Sequence, residues 1–315
     1  MKMSECIAIV LIDFIIFTGC GSNTGQQDTQ SQREDGAYKL NIPLTGSLQN
    51  PAFSPDGENI VFTQFKNGYN KEPSDLYTYN LTTKKLTLIV SNGSANVNLP
   101  GSSWNQNTNS IVYSSSQEPH DEIYTVKADA PHHTMQVTQR DAYVAYEPSF
   151  NPSGDEIVFE SHILDVEENG VIFKHQLNTS AYIPLTDLSG DARQPNWSPM
   201  GDKILYQKFM DGHWDIYTIN TNGNNAENIT QGQGNSTDAI FSYDGQSIIY
   251  SSDYHANIAN IYSVNLSSKS YTQLTNSNTY NGAPSLAPNG KTLIFESSKN
   301  DPDNSAGTSI WLLNL

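Results

Sequence analysis

Trp197-Ser198-Pro199-Met200-Gly201 opens a turn that leads, after two further residues, into the apolar triplet Ile204-Leu205-Tyr206. The same arrangement recurs as Phe53-Ser54-Pro55-Asp56-Gly57 before Ile60-Val61-Phe62 and as Phe150-Asn151-Pro152-Ser153-Gly154 before Ile157-Val158-Phe159. It returns as Phe241-Ser242-Tyr243-Asp244-Gly245 before Ile248-Ile249-Tyr250 and as Leu286-Ala287-Pro288-Asn289-Gly290 before Leu293-Ile294-Phe295. A more divergent copy, Trp104-Asn105-Gln106-Asn107-Thr108, precedes Ile111-Val112-Tyr113. The leading residues at 53, 104, 150, 197, 241 and 286 are 51, 46, 47, 44 and 45 positions apart. A period in this range marks a repeat architecture, and one four-stranded sheet per repeat makes it an all-β, six-bladed β-propeller of antiparallel blades.

Each repeat carries a second β-branched and aromatic run: Leu76-Tyr77-Thr78-Tyr79, Ile123-Tyr124-Thr125-Val126, Ile172-Phe173-Lys174-His175, Ile216-Tyr217-Thr218-Ile219, Ile261-Tyr262-Ser263-Val264 and Ile310-Trp311-Leu312-Leu313. The triplets are apolar without alternation, which signals burial on both faces, the condition of a blade held between two neighbours. A further element ends in Leu44-Thr45, Val137-Thr138, Leu185-Thr186, Ile229-Thr230 or Leu274-Thr275, with Leu88-Ile89-Val90 standing without the Thr in one repeat. The order within a repeat is therefore an inner strand, the turn, two central strands and an outer strand.

The sixth repeat stops at Leu315 without an outer strand, while Tyr38-Lys39-Leu40-Asn41-Ile42-Pro43-Leu44-Thr45 is an outer strand with no blade before it. Pairing of residues 38–45 with 309–315 would close the ring and cover an open sheet edge. In the turns, Pro pre-sets φ and Asp and Gly tolerate the reversal, so Asp56 and Asp244 are read as structural.

The chain has 315 residues, 36% of them hydrophobic, with 16 Lys+Arg against 33 Asp+Glu and a net charge of −17. That composition suits many short strands with polar turns, and the acidity argues against nucleic acid as a partner. Lys2 precedes the apolar stretch Ile7–Gly19, too short to span a bilayer as a helix but fitted to a signal-peptide core. The stretch ends in Phe17-Thr18-Gly19-Cys20, which resembles the bacterial lipobox. That resemblance implies residues 1–19 as a lipoprotein signal peptide, Cys20 as the lipidated (palmitate-bearing) anchor and a membrane-attached envelope location. Residues 20–37, rich in Gly, Ser, Gln, Thr and Asp, read as a flexible tether spanning about 23 Å, followed by the propeller at 38–315. The only other cysteine, Cys6, lies before the cleavage position, so no disulfide is expected in the mature domain.

The Ser-Pro-Asp-Gly turn, the Ile-Val-Phe strand, the later Asp-Ile-Tyr strand and the closing Leu-Thr resemble the WD-repeat-like β-propeller of TolB-type proteins. The resemblance covers residues 38–315, the propeller alone. It implies a non-catalytic, monomeric module that binds a protein or peptide in the cell envelope. The same propeller motif occurs in prolyl-oligopeptidase-like enzymes, but the sequence has no Gly-x-Ser-x-Gly nucleophile elbow. Some related propellers process oligosaccharides, so a carbohydrate-binding or lyase-like role is the alternative.

No phosphate-cradling loop or zinc-type Cys/His set is present, and no cofactor is expected. His132-His133 is a poor metal pair because neighbouring side chains on an extended backbone diverge. Asp301-Pro302-Asp303-Asn304-Ser305-Ala306-Gly307 has alternating oxygens but lacks the glycine and closing glutamate of a calcium loop. Alignment of the repeats singles out the position three residues before each turn. Around the ring it holds Asn50, Gly101, Glu147, Gln194, Asp238 and Ala283, preceded by Gln49, Pro100, Tyr146, Arg193, Thr237 and Gly282. Polar groups converging on one axis build binding sites, so Asn50, Tyr146, Glu147, Arg193, Gln194 and Asp238 are the candidate ligand residues at the channel mouth. Glu147 and Asp238 could hold a basic group or a cation such as calcium, which no motif supports.

Overall fold

In the triplet Ile60-Val61-Phe62, all three side chains are fully buried, yet they point in two directions. Ile60 and Phe62 pack with Ile294, Ile310 and Leu312 of the last repeat, while Val61 packs with Ile111, Tyr113 and Val126 of the second. The same division holds at the other blade junctions, where the buried apolar residues form one cluster per junction. A sheet of this kind needs apolar residues on both faces, which is why the runs do not alternate.

The computed structural model describes residues 32–315 apart from 92, 94–95, 99–103, 106, 118–119, 167–168 and 299–306. The expected signal segment, Cys20, Gly101 and most of the Asp301–Gly307 loop lie outside the described residues. Blade 1 consists of Ser47–Phe53, Asn59–Phe65, Ser74–Asn80 and Leu86–Ser91, from axis to rim. Blades 3, 4 and 5 repeat this antiparallel order with inner strands Tyr143–Phe150, Asp191–Trp197 and Ser236–Phe241. In blade 2 the inner strand is described as two short pieces, Val97–Asn98 and Trp104–Asn105, both paired with Ser110–Ser115. Blade 6 comprises Asn281–Leu286, Thr292–Ser298, Thr308–Asn314 and, at its rim, Tyr38–Lys39.

The ring therefore closes as expected, through Tyr38↔Leu312 and Lys39↔Trp311. The ladder is shorter than residues 38–45. It ends with the Leu40 N–H donating to the Ile310 carbonyl, after which Leu40 and Ile42 are buried between blades 6 and 1. Ile42 and Leu44 instead donate to carbonyls two residues back, and Pro43 between them has no N–H to offer a ladder.

The segment before the clasp also departs from a free tether, since residues 33–37 dock on blade 6. Ala37 is fully buried, and the Arg33 guanidinium lies 5.3 Å from the Phe295 ring centre and 5.0 Å from that of Trp311. It pairs with Asp35 and donates to Asn281 Oδ1 at 2.8 Å. Phe295 and Trp311 are a cross-strand pair, as are Phe159 and Phe173 three blades away, where Arg140 caps the rings at 5.8 and 4.4 Å. An arginine over an aromatic face contributes about 0.5–2 kcal/mol depending on its desolvation.

The recurrent Thr has the same role in blades 2 to 5. The hydroxyls of Thr138, Thr186, Thr230 and Thr275 accept from the N–H groups of Ile123, Ile172, Ile216 and Ile261 on the third strand. Three of them also donate to the preceding side chain: Thr138 to Glu122, Thr230 to Asp215 at 2.6 Å and Thr275 to Asn260 at 3.1 Å. In blade 1, where no Thr occurs, Ser91 donates to Asp75 at 2.7 Å.

Thr230→Val keeps the shape but orphans the Ile216 N–H and leaves Asp215 Oδ1 with the Gly232 N–H alone, and should destabilise the domain by about 1–3 kcal/mol in chemical denaturation. Removal of residues 32–40 strips the clasp, Arg33 and Ala37, and should lower Tm in a single transition. A truncated chain melting like the intact one would overturn this account of closure.

Candidate functional site

Five inner strands carry the same defect at the same place. In blade 3, Tyr146 pairs with Glu160 and Ser149 with Val158, so Glu147 and Pro148 oppose Phe159 alone. Asn50-Pro51, Gln194-Pro195, Asp238-Ala239 and Ala283-Pro284 do the same opposite Phe62, Tyr206, Tyr250 and Phe295. Each is a β-bulge of two residues against one. The first residue is left-handed in every case: φ is 51° at Asn50, 54° at Glu147, 48° at Gln194, 53° at Asp238 and 44° at Ala283. Proline follows in four of the five because a bulge leaves its second residue without a ladder bond to donate.

At Asn50, Gln194, Asp238 and Ala283 the bulge turns the N–H out of its own sheet toward the preceding blade. The Gln194 N–H donates to Glu147 Oε2 at 2.7 Å, Asp238 N–H to Gln194 Oε1 at 3.0 Å and Ala283 N–H to Asp238 Oδ2 at 3.4 Å. Ala283 has no acceptor to pass on. Glu296, on the second strand of the same blade, takes the Asn50 N–H instead at 2.9 Å, and Asn50 Nδ2 donates to Asn98 at 2.9 Å. The result is a chain of hydrogen bonds running from blade to blade around the axis.

Asn50, Gln194 and Asp238 line an axial cavity of only about 20 Å³, room for a single water. Glu147 and Asp238 do not face each other across an empty gap; Gln194 stands between them in the chain. Tyr146 donates from its hydroxyl to Asp121 at 2.8 Å and stacks on His162 at 5.7 Å. Arg193 reaches Asp191 Oδ2 with Nε and Nη2, both at 2.8 Å, and lies 5.9 Å from the Trp214 ring centre. At the opposite end of the channel, the turn-leading residues Trp104, Phe150, Trp197, Phe241 and Leu286 surround a cavity of about 450 Å³.

Two glutamates were not anticipated. Glu160 and Glu296 are almost wholly buried beside the ring. The residue after each apolar triplet carried the signal: it is Thr63, Ser114, Gln207 and Ser251 in four blades but Glu160 and Glu296 in blades 3 and 6. Tyr69 and Tyr280 close over the same end, 3.4 Å from Glu296 Oε1 and 3.5 Å from Asp238 Oδ2 respectively. Tyr280 lies so tightly across Gly282 that a Cβ there would come within 1.9 Å of its hydroxyl. Burial pushes the Glu147 carboxyl up to about 8, with Glu160 adding repulsion. Burial also pushes Glu296 up to about 8, with Asp238 adding to the effect and the Asn50 N–H opposing it. Asp238 and Glu160 are raised by burial as well. Among the described residues, no group of three or more His, Cys, Asp or Glu side chains is arranged to hold a metal ion.

Raised carboxyls bind protons in the folded state at pH values where the unfolded chain has released them, so stability falls as pH rises from about 4.5 toward 8. Glu296→Gln retains an acceptor for the Asn50 N–H and removes the buried acid. It should stabilise the domain at pH 8 by about 4 kcal/mol, about 8 °C in Tm, and have little effect near pH 4.5. A Tm gain equal at both pH values would rule out proton linkage at this site.

Residues 163–310 match the TolB beta propeller domain family. The Tol-Pal system protein TolB of Francisella tularensis subsp. mediasiatica is 30% identical over 236 residues, covering 70% of this chain and 52% of that protein. The chain thus spans about half the length of the curated relatives it matches. Among solved structures, TolB from Acinetobacter baumannii superposes with a TM-score of 0.67 at 16% identity, over 83% of this chain and 65% of that one. Oligogalacturonate lyase from Vibrio parahaemolyticus superposes with a TM-score of 0.59 at 12% identity, over 88% and 93%. At such identities these superpositions speak for the fold. Together with the repeats and the six blades they show a six-bladed β-propeller fold, within which residues 163–310 are similar to the TolB beta propeller domain family.

Proposed function

We propose that this chain is a non-catalytic propeller that binds a protein or peptide partner in the cell envelope, anchored to the membrane through a lipid on Cys20 and acting as a monomer. The observation that carries the reading is the ring itself. Acceptor and donor groups converge on one axis, but the cavity there, about 20 Å³, is too small to admit a sugar or a peptide residue. Recognition therefore takes place at the surface of the mouth, as suits a protein partner, rather than in an enclosed reaction chamber. The sequence similarity to Tol-Pal system TolB supports the same reading. No cofactor is needed; a cation such as calcium at the mouth would serve only to organise the carboxylates.

The intact lipoprotein, solubilised in detergent and immobilised, should retain a stoichiometric protein from envelope extract. The double variant Glu147→Gln/Asp238→Asn, which preserves the ring acceptors but removes both titratable carboxyls, should retain at least tenfold less. Undiminished capture by that variant would move the interface elsewhere. Retention of oligosaccharides on a glycan array without any protein partner would favour the carbohydrate-binding or lyase-like alternative.

A further inference from the structure

Three departures from the repeat meet at the turn end of the channel. The fourth residue of the turn is Asp56, Asn107, Ser153, Asp244 or Asn289 in five blades but Met200 in blade 4. Asp56, Asp244 and Asn289 accept the N–H two residues further on, at 2.9, 3.0 and 2.8 Å, a bond that a methionine cannot make. The third residue of the turn is proline in blades 1, 3, 4 and 6 but Tyr243 in blade 5. Met200 is 74% exposed and Tyr243 54%, and both line the cavity of about 450 Å³ that Trp104, Phe150, Trp197 and Phe241 surround. Two neighbouring blades thus give up the residue that turn chemistry prefers and hold a large side chain in water at one opening. A local rule broken with no gain in packing points to function.

The third departure lies at the floor. The residue just before the turn is Ser149 in blade 3 and Ser285 in blade 6. Their hydroxyls accept the N–H of the next blade's Trp197 at 3.1 Å and Phe53 at 3.2 Å. In blade 4 the same place holds Asn196, which is only 7% exposed and whose amide bonds to no group among the described residues. Asn196 borders both the wide cavity and the axial one of about 20 Å³. An amide so enclosed costs about 1–3 kcal/mol while it is unpaired. It offers donors and an acceptor to what enters from the turn end. Among the described residues the cavity lining has no Asp, Glu, Lys, Arg or His, although the chain carries a net charge of −17.

We propose that the turn end of the channel binds a neutral sugar, a pyranose residue of an uncharged oligosaccharide. Neighbouring hydroxyls of a pyranose each donate and accept, which matches the donor and acceptor of the Asn196 amide. Its C–H faces lie against Tyr243, Met200 and Trp104. An ion finds no counter-charge in this lining, and a purely apolar side chain leaves the Asn196 amide unpaired at the floor. The volume falls in the range of small-molecule sites. The site is at the opposite end of the channel from the acid ring, so it goes beyond the proposed partner-binding role and stands or falls separately from it.

The test titrates the full chain with the neutral disaccharides cellobiose, lactose and diacetylchitobiose, with the acidic digalacturonate, and with N-acetyltyrosinamide in the place of a peptide side chain. Saturation-transfer NMR and indole fluorescence follow binding. At least one neutral disaccharide should bind with a Kd of about 1 mM or tighter, and digalacturonate and N-acetyltyrosinamide at least tenfold more weakly. Asn196→Leu should weaken sugar binding at least tenfold without lowering Tm, because it removes a polar group that the fold itself does not pair. Met200→Ser/Tyr243→Pro restores the turn chemistry of the other blades and should weaken binding at least fivefold with Tm unchanged or higher. Three results would each overturn the inference: no neutral disaccharide bound at about 20 mM, digalacturonate or N-acetyltyrosinamide bound as tightly as the best neutral sugar, or full binding by either folded variant.

Discussion

Every part of this molecule depends on a sheet having two faces that must both be dry. A single four-stranded blade cannot satisfy that condition in water, so each triplet sends its outer two residues one way and its middle residue the other. The apolar contacts are therefore between blades more than within them. Such an arrangement is stable only when each blade has a neighbour on both sides, which makes ring closure an energetic requirement. Tyr38–Lys39, Ala37 and Arg33 supply that closure from the other end of the chain, and the rim strand of blade 6 is the place where the requirement is met.

The bulged inner strands follow from the same packing. Six strands crowd around one axis, and a regular ladder would leave every inward N–H pointing along its own sheet. In five of them one extra residue sits in a left-handed conformation, and in four it redirects that N–H to the adjacent blade. The acceptors on offer then decide the character of the channel. Where the ring residue is Glu147, Gln194 or Asp238, its own side chain serves the next blade; where it is Ala283, Glu296 substitutes from behind. Carboxyls recruited this way are buried for structural reasons, and their raised proton affinity is the consequence. This acid-rich interior ends at a mouth bordered by tyrosines.

The architecture was legible from the sequence because the turns and triplets are local and repeated. The clasp followed from counting strands, although its length did not: Pro43 and the burial of Leu40 and Ile42 end the ladder early. The docking of residues 33–37 was not legible. A segment of Gly, Ser, Gln and Asp reads as a tether, and only the Phe295–Trp311 pair, far along the chain, gives Arg33 a place to lie. Of the site, the ring positions could be found by alignment of the repeats, and the prolines after Asn50, Glu147, Gln194 and Ala283 were a local sign of the bulge. Glu160 and Glu296 could have been found by the same alignment, one strand further on.

What the sequence alone determined was the number of blades, the order of strands within each and the structural role of the turn residues. These rest on periodicity and on turn chemistry that acts within a few residues. The tertiary structure alone decided which ring residue bonds to which and how small the axial cavity is. Those outcomes depend on side chains from different blades meeting at one axis, about 45 residues apart in the chain, where no local pattern records the distance between them.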